Sequence, residues 1–341
     1  MIWFDESRLD DDEALATVDL RLRALADSGA RVRREAGTTA DAIAEAVARG
    51  GDSRPRAVVA AGPDSRLLRA VLEPFCPVPF VAWPHPGLPG WAGSLDLVVV
   101  LAPDGSDPGA ASAAAEAVRR GCRVVAACPP VSHVADHAVG RDATLLPTAT
   151  GDQLAVAIVM LSLLDRLDLG PETDPDLVAD ALDQVAIACS PHRDLAVNPA
   201  KMLAIALADA APVVWGGSVL AARAARRLAE TLRRVGGRTA IAGEAEQVLP
   251  LLEATRPRDV FDDPFAEGGA TPRPVLVVLD DGNQDPVCVE QRQTLVAAAD
   301  ARGIRVELVS SDAPSDVARY ASLLLHGTYA AEYLRLGLVD D

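Results

Sequence analysis

Aromatic residues are scarce, at 4 % of the 341 residues. With half of the chain hydrophobic, its cores must be packed from Ala, Val and Leu. Cysteine is sparse: Cys76, Cys122, Cys128, Cys189 and Cys288 are odd in number and form no C-x-x-C. That pattern argues against a disulfide framework and a zinc ribbon, and suits thiols in a reducing cytoplasm. Excess positive charge is missing too. The net charge of −17 disfavours nucleic-acid backbones and anionic membranes as partners. Long apolar runs are absent. The longest, 154–164, is too short to span a bilayer and ends in Asp165-Arg166. The first residues, Met1-Ile2-Trp3-Phe4-Asp5-Glu6, lack the basic-then-apolar order of a signal peptide, so a cytoplasmic location is expected. Neither G-x-G-x-x-G nor G-K-[ST] occurs, so no nucleotide cofactor is implied.

What the chain does contain is a βα rhythm, twice over. Residues 5–50 read as two helices. The first carries the stripe Ala14, Leu15, Val18, Leu20, Leu22 and Leu25, and the second spans about 40–49 behind a Thr38-Thr39 cap. Strands are predicted over 56–61, 79–82, 95–102, 122–128 and 143–146, with helices between them. The 95–102 run is near-continuously apolar, as a strand covered on both faces of a parallel sheet requires. Two helices, about 151–167 and 175–188, bridge to a second series of strands at 212–215, 238–242, 275–279 and 306–309. A final helix runs over 315–336. The reading is α/β: two tandem doubly wound parallel sheets joined by bridging helices. The expected divisions are 1–50 (helices), 51–170 (first α/β domain) and 171–341 (second). The Pro-, Asp- and Gly-rich stretch 256–274 reads as a surface loop.

The most informative stretch runs from Asn198-Pro199-Ala200-Lys201 through Pro212-Val213-Val214-Trp215 to Gly216-Gly217-Ser218 and a long helix. A glycine-rich turn with a Ser cap can gather backbone N–H groups around an anion. It can equally be an ordinary capped helix. His133 and His137, four residues apart, could share a metal, but no third ligand stands at matching spacing, so no metal is expected. Asp262-Asp263 and Asp280-Asp281 resemble cation ligands only in composition. Asp280-Asp281-Gly282-Asn283 after a strand reads as a turn. His326 falls on the last helix as a packing or capping residue.

The two α/β units, the bridging helices and several local runs together resemble the sugar isomerase (SIS-domain) family. The likeness is greatest to the bacterial and archaeal bifunctional phosphoglucose/phosphomannose isomerases. The runs are Pro77-Val78-Pro79, Leu88-Pro89-Gly90-Trp91, Asp96-Leu97-Val98-Val99, Arg119-Arg120-Gly121-Cys122-Arg123-Val124, Asn198-Pro199-Ala200-Lys201, Pro212-Val213-Val214-Trp215-Gly216 and 322–334. The resemblance implies flavodoxin-like sheets, a homodimer and a ligand that is a sugar phosphate or other carbohydrate derivative. It places ligand-binding candidates at Gly62, Ser65, Gly105, Ser106, Gly216, Gly217, Ser218 and Lys201.

The resemblance also implies what is missing. The family's phosphate-loop hydroxyls fall on Ala102, Asp104 and Asp107, and Pro63 and Asp64 interrupt its first glycine-rich turn. Its catalytic Glu falls on Arg234, a permanent cation that cannot act as a base. No His occupies 243–248, no Arg occupies 151–153, and the family's closing Lys has no counterpart before Asp341. The expectation is a SIS-fold protein that binds a carbohydrate derivative with isomerase chemistry lost. The first alternative is an active phosphosugar isomerase with relocated groups, Glu244 or Glu246 as base and Arg234 with Ser218 gripping the phosphate. The second is a non-catalytic partner protein.

Overall fold

The computed structural model describes residues 2–50, 54–62, 65–256 and 272–340. Pro63, Asp64, Asp262-Asp263 and most of the expected loop, 257–271, therefore lie outside the described residues.

In chain order, β1 (Ile2–Phe4) and a 3-10 turn lead to α1 (Asp12–Ala16), α2 (Asp19–Ala26) and α3 (Ser28–Gly50). Strands and helices then alternate: β2 (Val58–Ala61), α4 (Ser65–Leu72), β3 (Phe80–Trp83), β4 (Leu97–Leu101), α5 (Pro108–Arg119), β5 (Arg123–Cys128), α6 (His133–His137) and β6 (Ala143–Pro147). Next come α7 (Gln153–Arg166), α8 (Pro175–Ala188) and α9 (Pro199–Leu207). The second alternation is β7 (Ala210–Gly216), α10 (Val219–Gly236), β8 (Ile241–Ala242), α11 (Ala245–Glu253), β9 (Arg273–Asp280), α12 (Pro286–Ala301) and β10 (Arg305–Ser310), closed by α13 (Asp316–Gly337) and β11 (Leu338–Asp340).

Packing divides the chain into two compact units. Ser28–Asp180 forms one, and Met1–Asp27 with Ala181–Asp341 forms the other. In the first, five parallel strands lie in the order β3-β2-β4-β5-β6. Every residue of β4 is buried, as its unbroken apolar run demands. α5 presents Ala110, Ala111, Ala113, Ala114 and Ala117 to that core. Small side chains let a helix approach the sheet closely, which suits a chain so poor in aromatics. α3 packs along α7. It is one helix of 23 residues, which corrects the expected start at Thr38-Thr39. Both hydroxyls donate back within the helix, Thr38 to the Arg34 carbonyl at 2.8 Å and Thr39 to that of Glu35 at 2.7 Å. A hydroxyl satisfied by the preceding turn has no need to cap a new helix.

The second unit holds four parallel strands in the order β10-β9-β7-β8. α13 packs against α10 and α9 and carries all three tyrosines of the chain, Tyr320, Tyr329 and Tyr333, fully buried. The Tyr333 hydroxyl donates to the Cys189 carbonyl at 2.6 Å. β1 pairs antiparallel with β11, Phe4 opposite Leu338. Among the described residues no helix is long and apolar enough to cross a membrane.

Strand order fixes where a ligand crevice can open. In a doubly wound sheet it lies beyond the carboxyl ends of the two strands between which the winding reverses. Those strands are β2 and β4 in the first unit, and β7 and β9 in the second.

Candidate functional site

The second unit's switch point joins the loop after β7 to the loop after β9. Gly216 ends β7, and a Cβ there would lie 2.3 Å from the Ala221 backbone, so only glycine lets the strand end abut the first turn of α10. Ser218 caps that helix, its Oγ accepting from the Ala221 N–H at 3.0 Å. The same hydroxyl donates to the Asp281 carboxylate. Asp281 belongs to the β9 loop, so two chain segments 63 residues apart meet at one helix N-terminus. Beside them the Cys288 thiol donates to the Gly217 carbonyl at 3.2 Å. Burial, with Asp285 and Asp281 nearby, pushes that thiol up, keeping it a donor. Arg292 closes the far side by pairing with Asp280.

This crevice is small and already negative. Its volume is about 10 Å³, close to the room needed for one water. The partial positive charge of a helix N-terminus favours one anion nearby, and Asp281 supplies it. A phosphate brought within about 4 Å of that carboxylate would be repelled by roughly 4 kcal/mol per unit charge at an effective dielectric of about 20.

The first unit's switch point places Gly62 and Ser65, after β2, beside Gly105 and Ser106, after β4, since β2 and β4 are neighbours. Gly105 has φ +69°, and a Cβ there would fall 2.3 Å from Ser132 Cβ. Here too the helix N-terminus is taken. Asp107 caps α5 by accepting from the Ala110 N–H at 2.6 Å, and Pro108 at the first helical position has no N–H to offer. Asp104 accepts from the Ser106 N–H at 3.3 Å. Among the described residues, two buried polar atoms at this edge have no hydrogen-bond partner, Ser65 Oγ and Trp83 Nε1 at the end of β3. A hydroxyl-bearing ligand would satisfy both.

The other candidates stand apart from these edges. Lys201, the only lysine of the chain, is fully buried on α9. Its ammonium donates to Asp10 and to the carbonyls of Pro191 and Arg193 at 2.9 and 3.0 Å. Glu244 caps α11 and pairs with Arg226 at 2.5 Å, while Glu246 is exposed in its first turn. Arg234 is exposed in the last turn of α10, sixteen residues from Ser218 at the other end. That is about 24 Å along the helix axis, so one phosphate cannot touch both. The rings of His133 and His137 meet edge to face at 4.8 Å between centroids. Among the described residues no cluster of three His, Cys, Asp or Glu side chains could hold a metal ion.

Asp281, Cys288, Arg292 and Trp83 are missed by sequence reasoning. Asp281 carries the one usable signal, an acidic pair directly after a strand, but that signal also fits a plain turn.

Residues 196–337 match the family model for the bacterial phospho-glucose isomerase C-terminal SIS domain. None of the curated proteins compared with the chain matches it. Solved structures do. One is a Bacillus subtilis protein provisionally named a phosphosugar isomerase, 15 % identical over 89 % of this chain and 94 % of its own, with a TM-score of 0.61. Tagatose-6-phosphate ketose/aldose isomerase from Escherichia coli is 13 % identical over 95 % of this chain and 88 % of its own, also at 0.61. The C-terminal domain of glucosamine-fructose-6-phosphate aminotransferase from Francisella tularensis is 10 % identical over 89 % and 95 %, at 0.55. At these identities the likeness is one of fold.

Proposed function

We propose that this chain, which belongs through residues 196–337 to the SIS-domain sugar isomerase family, binds a carbohydrate derivative of sugar-phosphate metabolism without isomerising it. The observation that carries the reading is the Asp281 carboxylate held by Ser218 at the N-terminus of α10. It puts a negative charge of the protein's own where a phosphate would be received. Asp107 does the same at α5. The chemistry of the edges points the same way. Aldose–ketose isomerisation needs a base poised to move a proton between neighbouring carbons. Among the described residues, Asp107 and Asp281 at the switch points are engaged at helix N-termini, and Glu244 is bound to Arg226 on a helix cap. The rival with relocated groups would need Arg234 and Ser218 to share a phosphate across the length of α10.

The reading includes a homodimer and a cytoplasmic setting, to which five free cysteines are suited. Its ligand is taken up at the first unit's switch point, with Ser65, Trp83 and Ser106 offering hydrogen bonds to sugar hydroxyls. The test is a thermal-shift screen against phosphorylated and neutral sugars, followed by coupled assays with glucose-, mannose- and fructose-6-phosphate. A ligand that binds the native state raises the melting temperature by mass action. Stabilisation without turnover is expected. Turnover abolished by Glu244→Gln or Glu246→Gln would replace this reading with an active isomerase. No stabilisation by any sugar, with a stable heteromeric complex from the host, would replace it with a partner protein.

A further inference from the structure

A cavity lies at the opposite end of the first unit's sheet from its switch point. It has a volume of about 440 Å³, within the range of small-molecule sites. Its walls are the N-terminal approaches to β2, β4, β5 and β6, together with the last turn of α3 and the end of α7. Five arginines line it: Arg49, Arg54, Arg56, Arg123 and Arg141. Two carboxylates, Asp96 and Asp142, also line it. Five positive charges against two leave three in excess, inside a chain whose net charge is −17.

Ordinary structural needs account for part of that excess. Helix C-termini attract cations, and α3 and α7 end here. Each contributes about half a negative charge, which offsets about one of the three. Arg56 is engaged by Asp96, through Nε at 2.9 Å and Nη2 at 2.6 Å. The buried Asp96 also accepts from the Gly93 N–H at 2.8 Å, so it is satisfied without further cations. Arg49 reaches Glu45 at 3.4 Å. Among the described residues, neither Arg54 nor Arg141 makes an ion pair, and both are exposed at the rim. Arg123, half-buried at the start of β5, is held below the ordinary guanidinium value by burial. Ala46, Leu95, Val125 and Leu167 supply apolar wall between the guanidinium groups.

We infer that this cavity is a binding site for a small organic polyphosphate, a compact molecule carrying several phosphate charges on an apolar or ring-bearing body. Guanidinium groups present fixed forks of N–H donors that match phosphate oxygens, and Arg54 and Arg141 at the rim of a concavity that three further arginines line suit phosphate groups. Nucleic acid is disfavoured, because an extended polyanion would also meet the acidic remainder of the surface. The site shares no residue with either switch point. It stands or falls separately from the carbohydrate reading.

The test is isothermal titration of the full chain with tripolyphosphate and with ATP, in buffers of equal ionic strength at 0.1 M KCl. Saturable binding of both is expected, ATP the tighter because its nucleoside meets the apolar wall. Arg54→Glu/Arg141→Glu should weaken both by at least about tenfold, and Arg54→Gln/Arg141→Gln by less. Arg23→Glu/Arg69→Glu changes the net charge equally at exposed positions outside the cavity and should leave binding unchanged. Absence of saturable binding by the unmodified protein would overturn the inference. So would an equal loss in the Arg23/Arg69 variant, which would mark the binding as general charge attraction.

Discussion

Thr150 gives Glu35 two hydrogen bonds at once, from its backbone N–H and from its hydroxyl, each at 2.6 Å. The Ala149 N–H adds contacts at 3.0 and 3.1 Å to the two carboxylate oxygens. Glu35 is fully buried in the middle of α3, so one carboxylate ties that helix to the turn between β6 and α7. A buried charge is tolerable only when its lone pairs are met in this way. Glu35→Gln replaces an acceptor oxygen with a donor facing donors. It should cost about 2–4 kcal/mol of stability by urea denaturation. Thr150→Val, which removes only the hydroxyl, should cost about 1–2 kcal/mol. Equal stability of Glu35→Gln and the unmodified protein would show that the turn is held by something else.

Lys201 is expected to be a structural cation. Lys201→Met leaves the carbonyls of Pro191 and Arg193 without their donor and should lower stability by about 2–3 kcal/mol. Asp10→Asn should cost less, about 1 kcal/mol, because the Asp10 side chain is 47 % exposed and water can replace it. If Lys201 instead serves a ligand, the Met variant will unfold at the same urea concentration and lose sugar binding.

Asp281 should act as a built-in substitute for a ligand anion. Asp281→Asn removes the charge while leaving a partner for Ser218. The variant should be stabilised by glucose 6-phosphate in a thermal-shift experiment to a greater degree than the unmodified chain. An unchanged or smaller response to the phosphate would separate Asp281 from ligand choice.

His326 carries a pH prediction. Burial, only partly opposed by its contact with the Pro199 backbone, lowers its imidazole below the ordinary value. The unfolded chain then takes up a proton as pH drops through about 6.5, while the folded chain does not. The His326 contribution is fully present above that pH and is lost as pH falls toward the folded value. The slope is at most about 1.4 kcal/mol per pH unit. Glu332, raised chiefly by burial, acts with the opposite sign above the ordinary carboxylate range. The reading is therefore the difference between the unmodified protein and His326→Gln. That difference should shrink from pH 7 to pH 5; a constant difference would mean that His326 titrates alike in both states.

The strands of the two parallel sheets were legible because their signal is local, whereas β1 and β11, three residues each, were not. A run such as Leu97–Leu101, buried at every position, has no competing reading in a chain with this rhythm. α3 was not, because Gly37, Thr38 and Thr39 each weaken a helix taken alone. The burial of Thr39 and the grip of Thr150 on Glu35 override that weakness, and neither is visible within a window of neighbouring residues. The site divides in the same way. Ser218 could be read as a cap from the glycines before it. Its pairing with Asp281 depends on β9 lying beside β7, which sheet order alone determines. The arginines around the cavity are spread from 49 to 141, and only strand starts brought level by parallel pairing gather them.

The pairing of β1 with β11 has a consequence for how the molecule is made. Residues 1–27 belong to a unit whose remainder starts at 181. On the ribosome, that segment emerges with none of its partners and must wait while some 150 residues are translated. The sheet of Ser28–Asp180 has all its strands early and can settle meanwhile, domains folding as units during synthesis. Ile2–Phe4 can be clasped only when Leu338–Asp340 leaves the exit tunnel. Ile2–Phe4 is thus made long before its partner strand and is among the last of these elements to find its place.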